Sequence, residues 1–338
     1  MISLAKLAKT GLIATTLLTA SIGAAIAAGL DEPYQAKFIE DLQGKTVAYV
    51  PLAMGADLTE GWWAALKSEL EPYGINMELR DPNWSTSAGA QAVTSLISSK
   101  PDVIVVHNPD VQTYAKLLQR AEKAGIYVVQ INMGSSYRTS AFVGANWVEI
   151  GQKGTEAAIA ACDGKSNKIA IVQGSLSAAA SAYQLKGVEN ALAQHPEIEV
   201  VSSQPADWDA AKAKAITQTV LKQHPDICGI VGFWDGMDVG TAAAVNEAGL
   251  GDEIFVATSG GGETHGACDL VNSGAIDLNL SYDVPTQGRQ LAGVVKWLLS
   301  SGMEPGAVKG SAYTTLIPIT KENADKPGTC WNLAAIKQ

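Results

Sequence analysis

Residues 45–80 read KTVAYVPLAMGADLTEGWWAALKSELEPYGINMELR. The stretch opens on a short β-branched run, Thr46–Val50, passes through a helix-length amphipathic segment near Glu60–Glu71, stops at Gly74 and resumes as a second short run, Asn76–Arg80. Strand, helix and strand in that order form one βαβ unit, whose two strands lie parallel in a sheet. The same period continues along the chain. Further strands are predicted at Val103–His107, Tyr127–Ile131, Lys168–Val172, Glu197–Ser202, Gly229–Phe233, Phe255–Thr258 and Asp277–Tyr282. Helices are predicted near Ala88–Ser99, Val111–Ala124, Val148–Cys162, Ser181–Gln194, Ala210–Gln223, Gly240–Ala248 and Thr286–Leu299. The strand runs are mostly apolar rather than alternating, as strands covered on both faces require. Several helices meet a glycine or proline stop, among them Gly74, Pro101, Gly125 and Gly249.

The series 45–132 and 168–282 are two copies of one plan, so the expected fold is α/β with two similar doubly wound parallel-sheet lobes. In such sheets ligands collect beyond the carboxyl ends of the strands. If both lobes turn those ends towards each other, the residues just after each strand line the binding cleft.

Bulk properties narrow the function. Residues 1–27 carry Lys6 and Lys9, an uncharged run from Gly11 to Ala24 and the small-residue site Ala25-Ile26-Ala27, which is the pattern of a secretory signal peptide cleaved after Ala27. The rival reading, a membrane anchor, is disfavoured by the threonines, serine and glycine that interrupt the run and by its shortness. Loss of those residues removes two lysines and no acid, taking the formal charge from −10 to −12. A chain this acidic is a poor partner for nucleic acid. Of 338 residues, 311 then remain, more than one core usually holds, so two lobes are expected. All four cysteines, Cys162, Cys228, Cys268 and Cys330, lie in the exported part, where oxidation would pair them. No short metal-knuckle spacing joins them and the four histidines are scattered, so no metal or other cofactor is expected. Three pairings are open. Cys162 with Cys228 and Cys268 with Cys330 is preferred because the second bond would tie down the C-terminal tail.

The candidate binding residues follow the strands. After the first come Trp62 and Trp63, two adjacent tryptophans at a helix start, of which at least one is expected in the cleft because aromatic faces suit the C–H faces of sugars. Adjacent helical residues diverge by roughly 100°, so one of them could instead be core. The third strand ends at His107-Asn108-Pro109-Asp110, and the second lobe offers Gln204-Pro205-Ala206-Asp207-Trp208-Asp209.

These two segments and the order of the strands resemble the ribose-binding-protein family of periplasmic ABC-transporter components, a resemblance in plan over nearly the whole exported chain. It implies the type I periplasmic binding protein fold, with a three-segment hinge near Gly144–Asn146, Tyr282–Val284 and Ala312–Thr314. The lobes would then comprise residues 28–144 plus 284–312 and 145–283 plus 313–338. Carried over by position, the resemblance places ligand contacts at Glu60, Trp62, Trp63, Asn108, Trp208 and Asp283. The plainer readings are helix capping for Asp207 and Asp209 and a helix-start residue for Asp283. The chain also departs from the family pattern. Asn132-Met133 stands where an Asp-Arg pair is common, Gln184 where a cleft arginine is common, Trp234-Asp235 for Asn-Asp and Gly260-Gly261 for Asp-Gly. Asn132, Gln184 and Trp234 therefore join the candidate contacts as uncharged substitutes.

The expected function is capture of a small sugar, polyol or similar ligand by hinge closure, as the periplasmic component of an ABC importer with a membrane permease as partner and the chain itself a monomer. Trp62, Trp63, Trp208 and Trp234 with Glu60 and Asp283 would also suit a cation held by its attraction to aromatic faces. A sensor subunit presenting its ligand to a histidine kinase shares the same lobes. An enzyme is not expected: Ser259-Gly260-Gly261-Gly262 fits neither a dinucleotide nor a phosphate loop, and His107 and His265 lack a framed serine nucleophile. A DNA-binding repressor would need a helix-turn-helix headpiece where this sequence reads as a leader.

Overall fold

The structure is a computed structural model that describes residues 33–336, so the expected signal peptide lies outside the described residues. A helix, α1 (Pro33–Leu42), precedes the main body. The first half of that body holds β1 (Thr46–Val50), α2 (Asp57–Leu70), β2 (Asn76–Leu79), α3 (Thr86–Ser99), β3 (Val103–Val106), α4 (Ala115–Lys123), β4 (Tyr127–Ile131) and β5 (Ala141–Gly144). There follow α5 (Trp147–Ala161), β6 (Lys168–Gln173), α6 (Ala179–Leu192), β7 (Glu199–Pro205), α7 (Ala210–Gln223), β8 (Gly229–Gly232), α8 (Asp235–Glu247) and β9 (Phe255–Gly260). The chain ends through α9 (Asp269–Asn272), β10 (Leu278–Ser281), α10 (Val284–Ser300), β11 (Gly310–Tyr313), β12 (Ile317–Ile319) and α11 (Leu333–Ile336).

The strands form two six-stranded sheets of matching order, β11-β5-β4-β3-β1-β2 and β12-β10-β9-β8-β6-β7. The first is parallel throughout, and in the second only β12 runs antiparallel, against β10. Strand order reverses beside β1 and beside β6, which opens a crevice at the carboxyl end of each sheet. The central strands justify the buried reading: Val103–Val106 and Gly229–Gly232 are covered along their whole length. On the first sheet Val50, Ile104, Val106 and Val128 pack under Val93, Leu96 and Leu118. Each such fully buried aliphatic side chain stabilises the fold by about 1.5–3 kcal/mol relative to exposure. In the second half α6 crosses α5 so closely that a Cβ on Gly187 would overlap the Val148 carbonyl, which is why that helix carries a glycine.

The doubly wound α/β plan is observed, with instructive differences in detail. The helix predicted over 111–124 starts only at Ala115, because Asp110 accepts hydrogen bonds from the amides of Gln112 and Thr113 at 2.7 Å and turns the chain first. Strand β7 runs to Pro205 rather than ending at Ser202. It is a polar edge strand, and a register shift against Ile169/Ala170 offsets it. β5, β11 and β12 were not predicted as strands; they are three or four residues long and carry Gly or Pro, too little for a pattern to register.

The chain passes between the sheets after β5, after β10 and after β11. Thr314, in the last passage, ties the other two together. Its amide donates to the Gly144 carbonyl at 3.0 Å and its hydroxyl to the Tyr282 carbonyl at 2.7 Å, while Gln287 Nε2 donates to that hydroxyl at 3.3 Å. Cys162 bonds to Cys228 and Cys268 to Cys330. The second bond fixes the tail so that Trp331 Nε1 donates to the Gly261 carbonyl at 2.7 Å. Among the described residues no helix is long and apolar enough to cross a membrane.

Candidate functional site

One aromatic cavity lies between the carboxyl ends of the two sheets. From the first half its wall takes Leu52, Ala56, Leu58 and Thr59 around the start of α2, then Trp84, His107, Asn132 and Met133. Trp147 and Tyr282 stand at two of the passages, and the second half supplies Ala180, Trp208, Phe233 and Trp234. About 40 Å³ is open to the centres of water molecules.

Two of the tryptophans are held in an unusual backbone conformation that repeats between the halves. Asn83-Trp84 follows β2 and Asp207-Trp208 follows β7, and all four residues are left-handed, with φ of 48°, 64°, 53° and 64°. In each case the next residue caps a helix: Ser85 accepts from the Ala88 amide at 3.2 Å and Asp209 from the Lys212 amide at 2.8 Å. The left-handed region is costly for a bulky residue, so a tight turn that forces each indole out of the loop is being maintained by the surrounding structure. Both rings meet Trp234, each with a centroid distance of 6.4 Å. Trp234 is itself anchored through its amide, which donates to Asp238 Oδ2 at 3.2 Å.

The polar atoms of the wall are few. Burial alone lowers the His107 pKa to about 3, so its imidazole is neutral. Asn132, left-handed at φ 65°, places Nδ2 3.4 Å from His107 Nε2. Nε2 then accepts, and the proton resides on Nδ1. Trp147 Nε1 donates to the Asn132 carbonyl at 2.9 Å. Three buried atoms of these wall residues have no partner: His107 Nδ1, Asn132 Oδ1 and Trp234 Nε1. Among the described residues no charged side chain lines the cavity.

The carboxyls nearby are engaged elsewhere. Asp235 Oδ2 accepts from Asn279 Nδ2 at 2.9 Å. Burial, and then the neighbouring Asp57, hold the Asp235 pKa well above the carboxylate range, while burial chiefly raises Asp57. Asp238 is pushed up to about 7 by burial, against the hydrogen bonds from Thr258, Thr241 and the Trp234 amide.

Of the residues singled out from the sequence, the structure gathers Asn132, Trp208 and Trp234 at the cavity. The others lie elsewhere. Trp62 is fully buried, meets His107 edge-on from behind at 5.4 Å and donates to Gln287 Oε1 at 3.1 Å, which joins it to the Thr314 network. Trp63 stacks on Tyr49 at 5.8 Å. Neither ring of this pair is part of the cavity wall, where one was expected: Trp62 turns into the passage network and Trp63 onto Tyr49. Glu60 Oε1 accepts from the Gly55 amide at 3.2 Å. Asn108 Nδ2 donates to Gln130 Oε1 and the Met133 carbonyl, both at 2.8 Å, and so braces the loop that carries Asn132. Gln184 Nε2 donates to the Phe233 carbonyl at 3.2 Å. Asp283 caps α10 through the Thr286 amide, the plainer of its two readings. Trp84, Trp147 and Tyr282 were missed as wall residues, and His107 was considered only as a base. The signal that could have found Trp84 is the run Asn83-Trp84-Ser85, which matches Asp207-Trp208-Asp209 in kind and place.

Two matching doubly wound sheets, three passages and a cleft at their facing carboxyl ends define a type I periplasmic binding protein fold. The model of the periplasmic binding protein domain matches residues 47–302, and the chain belongs to that family. It is 33% identical over 150 residues to the D-allose-binding periplasmic protein of Escherichia coli, a match covering 42% of this chain and 48% of that protein. It is 26% identical to a galactofuranose-binding protein of the same organism, over 61% of this chain and 71% of the relative. An ABC-transporter solute-binding protein from Agrobacterium vitis, solved with α-D-tagatopyranose, superposes with a TM-score of 0.76 at 20% identity, over 84% and 97% of the two chains.

Proposed function

We propose that this chain is the periplasmic solute-binding component of an ABC importer, which captures a small neutral sugar, polyol or sugar-like ligand between the two sheets. The observation that carries the reading is the set of three buried, unpartnered polar atoms, His107 Nδ1, Asn132 Oδ1 and Trp234 Nε1, held by walls of a single aromatic cavity. A buried polar atom without a partner costs about 1–3 kcal/mol, and a bound ligand that pairs with it recovers that cost. The absence of a charged side chain from the described wall argues for a neutral ligand over the cation considered from sequence. Relatives named for allose and galactofuranose support the sugar class.

Lobes of residues 28–144 plus 284–312 and 145–283 plus 313–338 would close about the passages, with Asn132 and His107 on one side and Trp208 and Trp234 on the other. The ligand shifts the population towards closure by contacting both sides at once. A membrane permease then reads the closed monomer. A thermal-shift screen of protein freed of endogenous ligand, against sugars, polyols and quaternary amines, tests the reading. Saturable stabilisation by a sugar or polyol, confirmed as one-to-one binding by calorimetry, is the expected result. Stabilisation by quaternary amines alone would overturn it.

A further inference from the structure

We infer that the cleft selects a partly deoxygenated or O-methylated sugar-like ring in preference to a fully hydroxylated monosaccharide. The inference rests on the reading of the cleft as a solute site and specifies which members of the ligand class it takes.

The argument is an inventory of hydrogen-bonding capacity. A free monosaccharide presents hydroxyls around its whole rim, and each one taken from water needs a partner. The wall spends part of its polar groups internally. The Thr59 hydroxyl donates to the Ala56 carbonyl at 3.0 Å, the Trp147 indole to the Asn132 carbonyl, and Asn132 Nδ2 faces His107. What remains is two buried, unpaired donors, His107 Nδ1 and Trp234 Nε1, one buried acceptor, Asn132 Oδ1, and the indole N–H groups of Trp84 and Trp208, so the open side-chain groups are mostly donors with few acceptors for hydroxyl protons. Tyr282 adds a phenol, which burial keeps protonated.

Adjacent hydroxyls are gripped best by charged, two-pronged partners such as carboxylates and guanidinium groups. No such group lines the described wall, and carboxyls next to wall residues in sequence already have partners, with Asp57 accepting from the Leu58 amide and Asp283 from the Thr286 amide. Asp235 is held by Asn279 and the Gly236 amide, and Asp238 by Thr241, Thr258 and the Trp234 amide. A hydroxyl carried in without a partner therefore weakens binding by roughly tenfold or more. A methyl or methylene in the same place meets Leu58, Met133, Phe233 or an indole face and strengthens it by roughly fourfold per carbon. Both effects favour the ligand with fewer exposed hydroxyls.

The test uses the full chain, freed of endogenous ligand with its disulfides intact, and calorimetric titration with pairs that differ at one position: D-galactose with D-fucose, L-mannose with L-rhamnose, and D-allose with its methyl glycoside. The deoxy or methylated member of the best-binding pair is expected to bind at least about tenfold more tightly than its parent. Parent sugars that bind as tightly as or more tightly than their partners would overturn the inference and leave the proposed function standing. Binding of no sugar or polyol at all would overturn both. In addition, Trp234→Phe keeps an aromatic ring but deletes the Nε1 donor, and should weaken the best ligand by roughly five- to tenfold, measured at a temperature where circular dichroism shows the variant fully folded. Unchanged affinity would refute the hydrogen-bond inventory.

Discussion

Gly174→Ala tests the aromatic wall without touching any residue of it. Gly174 follows β6, and the six-membered ring of Trp208 lies directly on it, so that a Cβ there would fall within the van der Waals envelope of three ring carbons at once. Carbon atoms pack at about 3.5–4.0 Å, so the ring must retreat by more than roughly 1 Å. It has little room to do so, because the edge of Trp234 stands against it at 6.4 Å and 76°, and because its own backbone is fixed at φ 64° by the capped start of α7. The ring is therefore expected to swing out of the wall, with a loss of ligand stacking and burial of roughly 1–3 kcal/mol, or about 5- to 150-fold in Kd. The added methyl should itself cost the fold about 1–3 kcal/mol, so binding must be measured well below the melting temperature. Calorimetry on the best ligand from the screen gives the affinity, and circular dichroism verifies the fold. The decisive comparison is with Trp208→Ala: the two substitutions should be strongly non-additive, because the second removes what the first displaces. Affinity within about twofold of wild type for Gly174→Ala, with Trp208→Ala impaired, would refute the reasoning.

Thr314→Val removes the hydroxyl that joins the passages to each other, and should lower stability by about 1–3 kcal/mol. It should also broaden the radius-of-gyration distribution of ligand-free protein in small-angle scattering; an unchanged profile with unchanged melting would count against a hinge role. The paired substitution of Cys268 and Cys330 by serine opens a loop of 62 residues, for which chain entropy gives a loss of up to about 4 kcal/mol, measurable by urea unfolding. A loss below about 1 kcal/mol would show that the Trp331 contacts hold the tail unaided. Asp238→Asn probes pH dependence. The folded pKa near 7 lies above the unfolded value of 3.8, so the native state holds the extra proton and stability from this group declines as pH rises through that window, by up to roughly 4 kcal/mol. The asparagine variant should gain on wild type between pH 4 and 8. His107, neutral when folded, acts in the opposite sense and loses stability as pH falls from 6.5 towards 3 in both proteins, so stability curves that run parallel would refute the Asp238 assignment.

The alternation of buried runs and amphipathic helices made the two sheets legible because parallel strands are covered on both faces and must be apolar throughout, as Val103–Val106 and Gly229–Gly232 are. Edge elements obey no such rule, and β5, β11 and β12 left no pattern to read. The site was half legible for a different reason. Being near the carboxyl end of a strand is visible in a sequence; the direction in which a side chain leaves the backbone is not. Trp62 and Trp63 sit at a helix start beside the cleft, yet ordinary helical geometry turns one into the passage network and the other onto Tyr49. Trp84 and Trp208 reach the cavity because each stands in a left-handed turn one residue before a helix cap. That conformation does leave a trace, an Asx residue, a tryptophan and a capping Ser or Asp in sequence, and the trace occurs at the same point of both halves. A repeat of the fold thus carries information about the site: two halves that present the same strained turn to one cleft bring both indoles against Trp234, and the second copy identifies the first.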